Sequence, residues 1–560
     1  MVSKRWASLL PVVRISAPAD SPPRREDCYC HDDSPLPVPT LSAPALLRLL
    51  SRAPSVTSLS LGDGAVDFYD DSFIISLLAA CPKLTCLSLG DPRFTAAPPP
   101  FTISFASLNS LFRAAAPQLQ ELALLLPYEA RKLLDSISSL SSLRVLRLRS
   151  NTIQQLPDGL CNLPALQELQ FSCSMLWDVP EDFGQLKALT RLSIVDSMNG
   201  ARSLPDSLGD LSSLTSLCIA FPCGRLPCSI TALQQLRRLQ LRRYDSLDWP
   251  DGCEAWTRLE ELSLEQCSVR SFPPAWLETL KRLTVRSCDN FKSLPLDDVV
   301  RTSPLRLLTL EEVLAFDNLP LHPLSQLTSL QRLKVSVKAL FRPIITGKEE
   351  FPVGLLALPS LAHVSVDRVA WVEQGDAPKG DCLVTLSADF GSLGALQRLS
   401  IHSCSRLQSL PDSFSSLASL VHLAITNCSK PSTLPDGFGS LPRLARLAIT
   451  YCDSFTHLPA SFPCLPSLRV ASFSCCPRLQ SLPADMGLLP RLEVLLLREC
   501  EALRTLPDSL RQAKALRHVD LSKCGVANVD RAYRSAGRNA DRNADWYGTG
   551  IYFEWGPRDD

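Results

Sequence analysis

The chain has 560 residues, 57 Lys and Arg against 57 Asp and Glu, a formal net charge of +0, 45 prolines and 21 cysteines. Balanced charge excludes the basic footprint of a nucleic-acid binder and the polybasic segment of a protein held to an anionic membrane. No apolar run approaches the roughly 18 residues that span a bilayer, and Arg14 cuts the apolar stretch behind Lys4 and Arg5 too early for a secretory leader.

Residues 1–40 are rich in Pro, Ser and Asp and are expected to form a flexible segment. Inside it Cys28, Cys30 and His31 stand among Asp27, Asp32 and Asp33, but no second pair of ligands follows at zinc-site spacing, so no metal site is expected. Over 41–128 three similar starts align Val56, Leu84 and Leu119, spaced by 28 and 35 residues, which leaves room for full helices at 46–50 and 73–80. Over 129–337 the repeats shorten, opening at Leu143, Leu166, Leu189, Leu214, Leu236, Leu259, Leu280, Leu305 and Leu330. Most carry an apolar-Pro step, such as Leu156-Pro157 or Leu204-Pro205. Between 338 and 395 the period loosens: Leu361, Val364 and Val366 mark one strand, and a polar loop over 367–382 encloses Trp371, read as a recognition residue or as local packing.

Over 396–524 the period is strict. A pattern Leu-x-x-apolar-x-apolar-x-x-Cys starts at Leu396, Leu420, Leu444, Leu468, Leu492 and Leu516, every 24 residues, and ends at Cys404, Cys428, Cys452, Cys476, Cys500 and Cys524. After it, 525–560 gathers Trp546, Tyr547, Tyr552, Phe553 and Trp555 and is read as a cap over the last strand or as a tail.

This self-similarity resembles the leucine-rich repeats: an α/β solenoid, a horseshoe whose repeats each lay one parallel strand on the concave sheet, with 3-10 turns or short helices on the convex side. In the repeat opening at Leu396, the side chains of Leu396, Leu399 and Ile401 point inward and Arg398, Ser400 and His402 outward. Leu407, Leu410, Phe414 and Leu417 complete the wedge, and Cys404 sits where the chain leaves the strand. A cysteine repeated in every turn is read as a stack of reduced thiols, which favours a reducing compartment.

The apolar-Pro steps and the stretches "CSRLQSLPDSFSSL" and "CEALRTLPDSL" resemble the repeats of plant intracellular leucine-rich-repeat proteins, namely nucleotide-binding disease-resistance receptors and the related Ras-group family. That resemblance covers 143–524 and implies a protein partner, a role in defence or signalling, and a cytoplasmic location, with the nucleus open as well. The chain departs from the receptors in having no G-x-x-x-x-G-K-[ST] loop: Gly347-Lys348 lacks the upstream glycine. The opening "VSKRW" and the Cys/Ala-Pro repeat starts resemble F-box leucine-rich-repeat proteins, which implies as alternative a ubiquitin-ligase substrate receptor whose docking domain would precede Met1.

Two parts of the concave face are candidate partner sites. One charge column is Arg242, Glu265, Arg286, Glu311 and a parallel one Arg238, Glu261, Arg282, readable as cross-strand ion pairs or, with Arg237, Arg243 and Glu312, as a patch that steers a partner. Further on, Ser400, Ala424, Ala448 and Ser472 form a small-residue groove with Arg398, His402, His422, Arg446 and Tyr451 at its margin. Catalytic arrangements are missing: no G-x-S-x-G, no H-E-x-x-H and no kinase set. Cys475 is the one candidate reactive thiol, and no enzyme activity, cofactor or small-molecule substrate is expected.

Overall fold

The computed structural model describes residues 12–15, 43–52, 55–61, 71–89, 105–115, 118–126, 135–150, 152–173, 175–176, 179–196, 204–220, 225–288, 290–291, 294–295, 303–311, 327–340, 358–372 and 386–525. They fall into two compact units, Met1–Val269 and Arg270–Asp560.

In the first unit the described strands are β1 (Val12–Ile15), β2 (Ser58–Leu61), β3 (Cys86–Leu89), β4 (Glu121–Leu125), β5 (Val145–Ser150), β6 (Glu168–Cys173), β7 (Arg191–Asp196), β8 (Ser216–Ala220), β9 (Arg238–Arg242) and β10 (Glu261–Glu265). From β1 to β9 each pairs in parallel with the strand that follows it. The long early repeats return through α1 (Ala43–Leu50), α2 (Asp71–Ala80) and α3 (Phe105–Ala115), as their spacing predicts. From β5 onward the return contains a 3-10 turn such as Asp158–Asn162, because a shorter repeat has no length left for a full helix. β1 corrects the expectation for 1–40: three β-branched residues, Val12, Val13 and Ile15, give the edge of β2 a parallel partner. The Cys28, Cys30 and His31 cluster lies outside the described residues.

In the second unit the strands are β11 (Arg282–Arg286), β12 (Leu307–Glu311), β13 (Arg332–Leu340), β14 (His363–Val372), β15 (Arg398–His402), β16 (His422–Thr426), β17 (Arg446–Thr450), β18 (Val470–Ser472), β19 (Val494–Leu496) and β20 (His518–Asp520), again paired in parallel in chain order. β14 corrects the polar loop expected over 367–382. Residues 367–372 continue the strand beside β13 across a register shift at Ser336/Val337, so Trp371 is a strand residue opposite Ala339. Val369, Trp371 and Val372 supply the strand preference that the neighbouring acids masked. Residues 373–385 and the aromatic tail after 525 lie outside the described residues.

The strict repeats opening at Leu396 through Leu492 bury their Leu-x-x-apolar-x-apolar triad: Leu420, Leu423 and Ile425 are at most 2% exposed, as are Leu444, Leu447 and Ile449. Full burial of such a side chain contributes about 1.5–3 kcal/mol. The return is set by proline. Pro411 is extended at φ −70°, its carbonyl accepts from Phe414 N–H at 3.0 Å, and Asp412–Ser416 closes into a 3-10 turn. Phe390, Phe414, Phe438 and Phe462 stack through these turns with centroids 6.1, 6.2 and 6.2 Å apart. Between them runs a notch of glycine and serine. A Cβ on Gly439 would stand 1.8 Å from the Ser461 carbonyl oxygen, while Gly439 N–H donates to Ser461 Oγ at 3.1 Å. Gly391 with Ser413 and Gly487 with Ser509 repeat the arrangement.

Candidate functional site on the open strand face

The end of every strict strand is fixed by two adjacent residues. The first is left-handed: Ser403, Asn427, Tyr451, Cys475, Glu499 and Lys523 have φ between 49° and 66°, as do Arg243, Gln266 and Ser287 in the earlier repeats. That reversal lets the residue donate its N–H to the next repeat: Ser403 to Thr426 O at 2.8 Å, Asn427 to Thr450 O at 2.9 Å, Tyr451 to Ser474 O at 3.1 Å. The second is the ladder cysteine, and the thiols of Cys452, Cys476, Cys500 and Cys524 donate backward to the previous repeat. Cys476 Sγ reaches Ile449 O at 3.3 Å and Cys500 Sγ reaches Phe473 O at 2.9 Å. Cys404, Cys428, Cys452, Cys476 and Cys500 are fully buried and none of the described cysteines is in a disulfide. Burial pushes Cys476 up to about 12 and raises Cys452 as well. Geometry thus makes the thiols hydrogen-bond donors that tie adjacent repeats.

Cys475, the candidate reactive thiol, is a free, half-buried thiol. Its thiol donates to Glu499 Oε2 at 3.3 Å, and burial with that carboxylate raises its pKa. Among the described residues no group of three His, Cys, Asp or Glu side chains is placed to hold a metal ion. No described helix is long and apolar enough to cross a membrane.

Side chains on the open face stack in columns because the strands are parallel and in register. In the first unit several arginines of these columns are held in cross-strand ion pairs. Glu168, only 13% exposed, accepts from Arg147 at 2.7 Å and also pairs with Arg191. Arg238 meets Glu261 at 3.3 Å and Arg242 meets Glu265 at 2.9 Å, with Arg237 to Glu260 at 2.8 Å beside them. Three of the sequence candidates, Arg238, Arg242 and Glu265, are therefore members of ion pairs, each worth about 0.2–1 kcal/mol at such exposure. In the second unit Glu311 is held between Arg286 at 2.8 Å and Lys334 at 2.6 Å.

The strict array differs. Across β15, β16 and β17 one column is Arg398, His422, Arg446; the next is Ser400, Ala424, Ala448; the third is His402, Thr426, Thr450. Ser472 continues the central column and Leu496 ends its run of small residues. Ala424 and Ala448 are 3% and 5% exposed and form a floor, with exposed Arg398 and Arg446 at one margin and the left-handed residues at the other. Tyr451 projects from that second margin, 58% exposed. Burial, then the flanking Arg398 and Arg446, lower the His422 pKa to about 4, so this imidazole is neutral at neutral pH.

The structure brings Arg398, His402, His422, Arg446 and Tyr451 onto one face, as the spacing predicts. It adds two residues that the sequence reading did not include, Arg332 and His363, which precede Arg398 in the same column. The irregular repeats hid them, since phase cannot be carried across unequal spacings. Trp371 enters only through its backbone; its side chain lies outside the described residues.

Residues 118–345 match a family described as "Leucine-rich repeat region". Disease resistance protein RPS4B of Arabidopsis thaliana is 26% identical over 203 residues, 32% of this chain, and the match spans only 17% of that protein's length. Among solved structures, a leucine-rich-repeat protein of Leptospira interrogans is 18% identical, covers 84% of this chain and 91% of its own, and has a TM-score of 0.40. The plant peptide hormone receptor RGFR1 in complex with RGF2 is 15% identical, with coverage of 87% and 94% and a TM-score of 0.43. The chain contains a leucine-rich repeat region, and its parallel strands and 3-10 returns have the leucine-rich-repeat fold.

Proposed function

We propose that this chain is a non-catalytic recognition or scaffold protein that holds a protein partner on the open strand face of its second unit, in plant-type defence or intracellular signalling in the cytoplasm. The observation that carries the reading is the contrast on that face. Arg398 and Arg446 are exposed above a floor of Ala and Ser, whereas Arg147, Arg191, Arg238 and Arg242 of β5, β7 and β9 are held in ion pairs. Exposed Arg and Tyr beside a floor of small residues are the usual anchors of a protein interface. Tyr451 adds a second argument, because it is a large aromatic side chain left 58% exposed at the margin of that floor. The partial match to a disease resistance protein supports the defence setting.

The test is capture. The full chain, immobilised, is compared with the Arg446→Ala/Tyr451→Ala double variant in plant cytosol, with thermal melts of both. Loss of the captured proteins at an unchanged melting temperature supports the site; equal capture by the variant overturns it.

A further inference from the structure

The column Arg332, His363, Arg398, His422, Arg446 runs over five adjacent strands, β13 to β17, in unbroken parallel register. Three exposed guanidinium groups therefore recur on every second strand. Strands lie about 4.8 Å apart, so the arginines stand about 9.6 Å apart along the column. Among the described residues no carboxylate pairs with Arg332, Arg398 or Arg446, although Glu168, Glu261, Glu265, Glu311 and Glu493 each pair with an arginine elsewhere. The column next to them supplies Lys334, Ser365, Ser400, Ala424 and Ala448; Lys334 is already paired with Glu311, and the rest are small. A chain laid along the column from β14 to β17 thus has only the small Ser365, Ser400, Ala424 and Ala448 beside it in that neighbouring column.

A polyproline II segment has 3 residues per turn and rises about 3.1 Å per residue, so every third side chain falls on one face about 9.3 Å from the last. That repeat is within about 0.3 Å of the arginine spacing. Resting on the reading of this face as a partner site, we propose that the column Arg332, Arg398, Arg446 binds an extended acidic peptide of the partner with carboxylates at every third residue, running across the strands. Each carboxylate takes one guanidinium in a bidentate pair. His363 and His422 lie between the charges and are lowered to about 4 first by burial and then by the adjoining arginines, so they stay neutral at neutral pH. Alternating neutral and cationic groups also disfavours a peptide whose acids are contiguous.

The experiment is fluorescence anisotropy of the full chain with a labelled peptide of four Glu-Pro-Pro units at low salt. Controls are a peptide of the same composition with its four Glu contiguous, and a single-stranded oligonucleotide. The expected result is at least tenfold tighter binding of the spaced peptide than of either control. Arg398→Gln and Arg446→Gln should each weaken it about tenfold, while Arg469→Gln, on a side chain already paired with Glu493 at 2.8 Å, leaves it unchanged. Equal binding of the two peptides, tighter binding of the oligonucleotide, or no binding overturns the proposal. Should the peptide fail while protein capture still depends on Arg446 and Tyr451, the acidic-peptide inference falls and the partner face stands; should capture also be insensitive, both fall.

Discussion

The turn side and the strand face of the second unit are built by opposite rules. On the turn side every repeat must accept its neighbour: phenylalanines stack at 6.1–6.2 Å, and Gly391, Gly439 and Gly487 leave room where any Cβ would meet a carbonyl. On the strand face the side chains point away from the core, and the register fixes only their positions. Residue type is therefore constrained by packing on one side and free for recognition on the other. The β5 to β10 face uses that freedom for cross-strand ion pairs; the β15 to β17 face leaves its arginines unpaired.

Substitutions should divide accordingly. The largest effect is expected at Phe438→Ala, which removes a fully buried ring and should cost about 3–5 kcal/mol in chemical denaturation. Gly439→Ala should cost about 1–3 kcal/mol through overpacking against Ser461. Gly394→Ala, with nothing within 4 Å of the added methyl, should be neutral or stabilise by up to about 1 kcal/mol. Equal melts for the two glycine variants would remove the notch from the account. On the strand face Tyr451→Gly should raise stability by about 1 kcal/mol by relieving left-handed backbone at φ 56°, while weakening partner capture. Glu265→Gln in the paired face should cost no more than about 1 kcal/mol, with an effect that shrinks at high salt.

Acidification probes the same face. His363 and His422 have folded pKa values near 4, below the ordinary 6.5, because burial and, after it, Arg332, Arg398 and Arg446 disfavour the charged imidazole. Between pH 6.5 and 4 the unfolded chain therefore binds more protons than the folded one. The two imidazoles contribute stability that is present above pH 6.5 and is lost as pH falls toward 4. A His422→Gln variant should show a flatter fall in melting temperature over that window.

Much of this was legible in the sequence because the 24-residue period carries phase. Once Leu396 is assigned inward, Arg398, Ser400 and His402 follow outward, and the cysteine stack with them. Phase also fixed which residues precede each ladder cysteine, yet of Ser403, Asn427, Tyr451, Cys475, Glu499 and Lys523 only Asn has a local preference for left-handed backbone, so that column stayed hidden. Arg332 and His363 were missed where spacing breaks. β1 was missed because four strand residues beside a proline-rich stretch carry too weak a periodicity. The pairing of Arg238 and Arg242, by contrast, followed from alternating sign at strand spacing.

Tyr451 on the strand face and Leu488 on the turn side are almost equally exposed, at 58% and 61%. Hydroxyl-radical footprinting of the chain with and without its captured partner compares them directly. The account predicts that the partner protects Tyr451 and leaves Leu488 at its free rate. Protection of Leu488 with Tyr451 unchanged would place recognition on the turn side and contradict it.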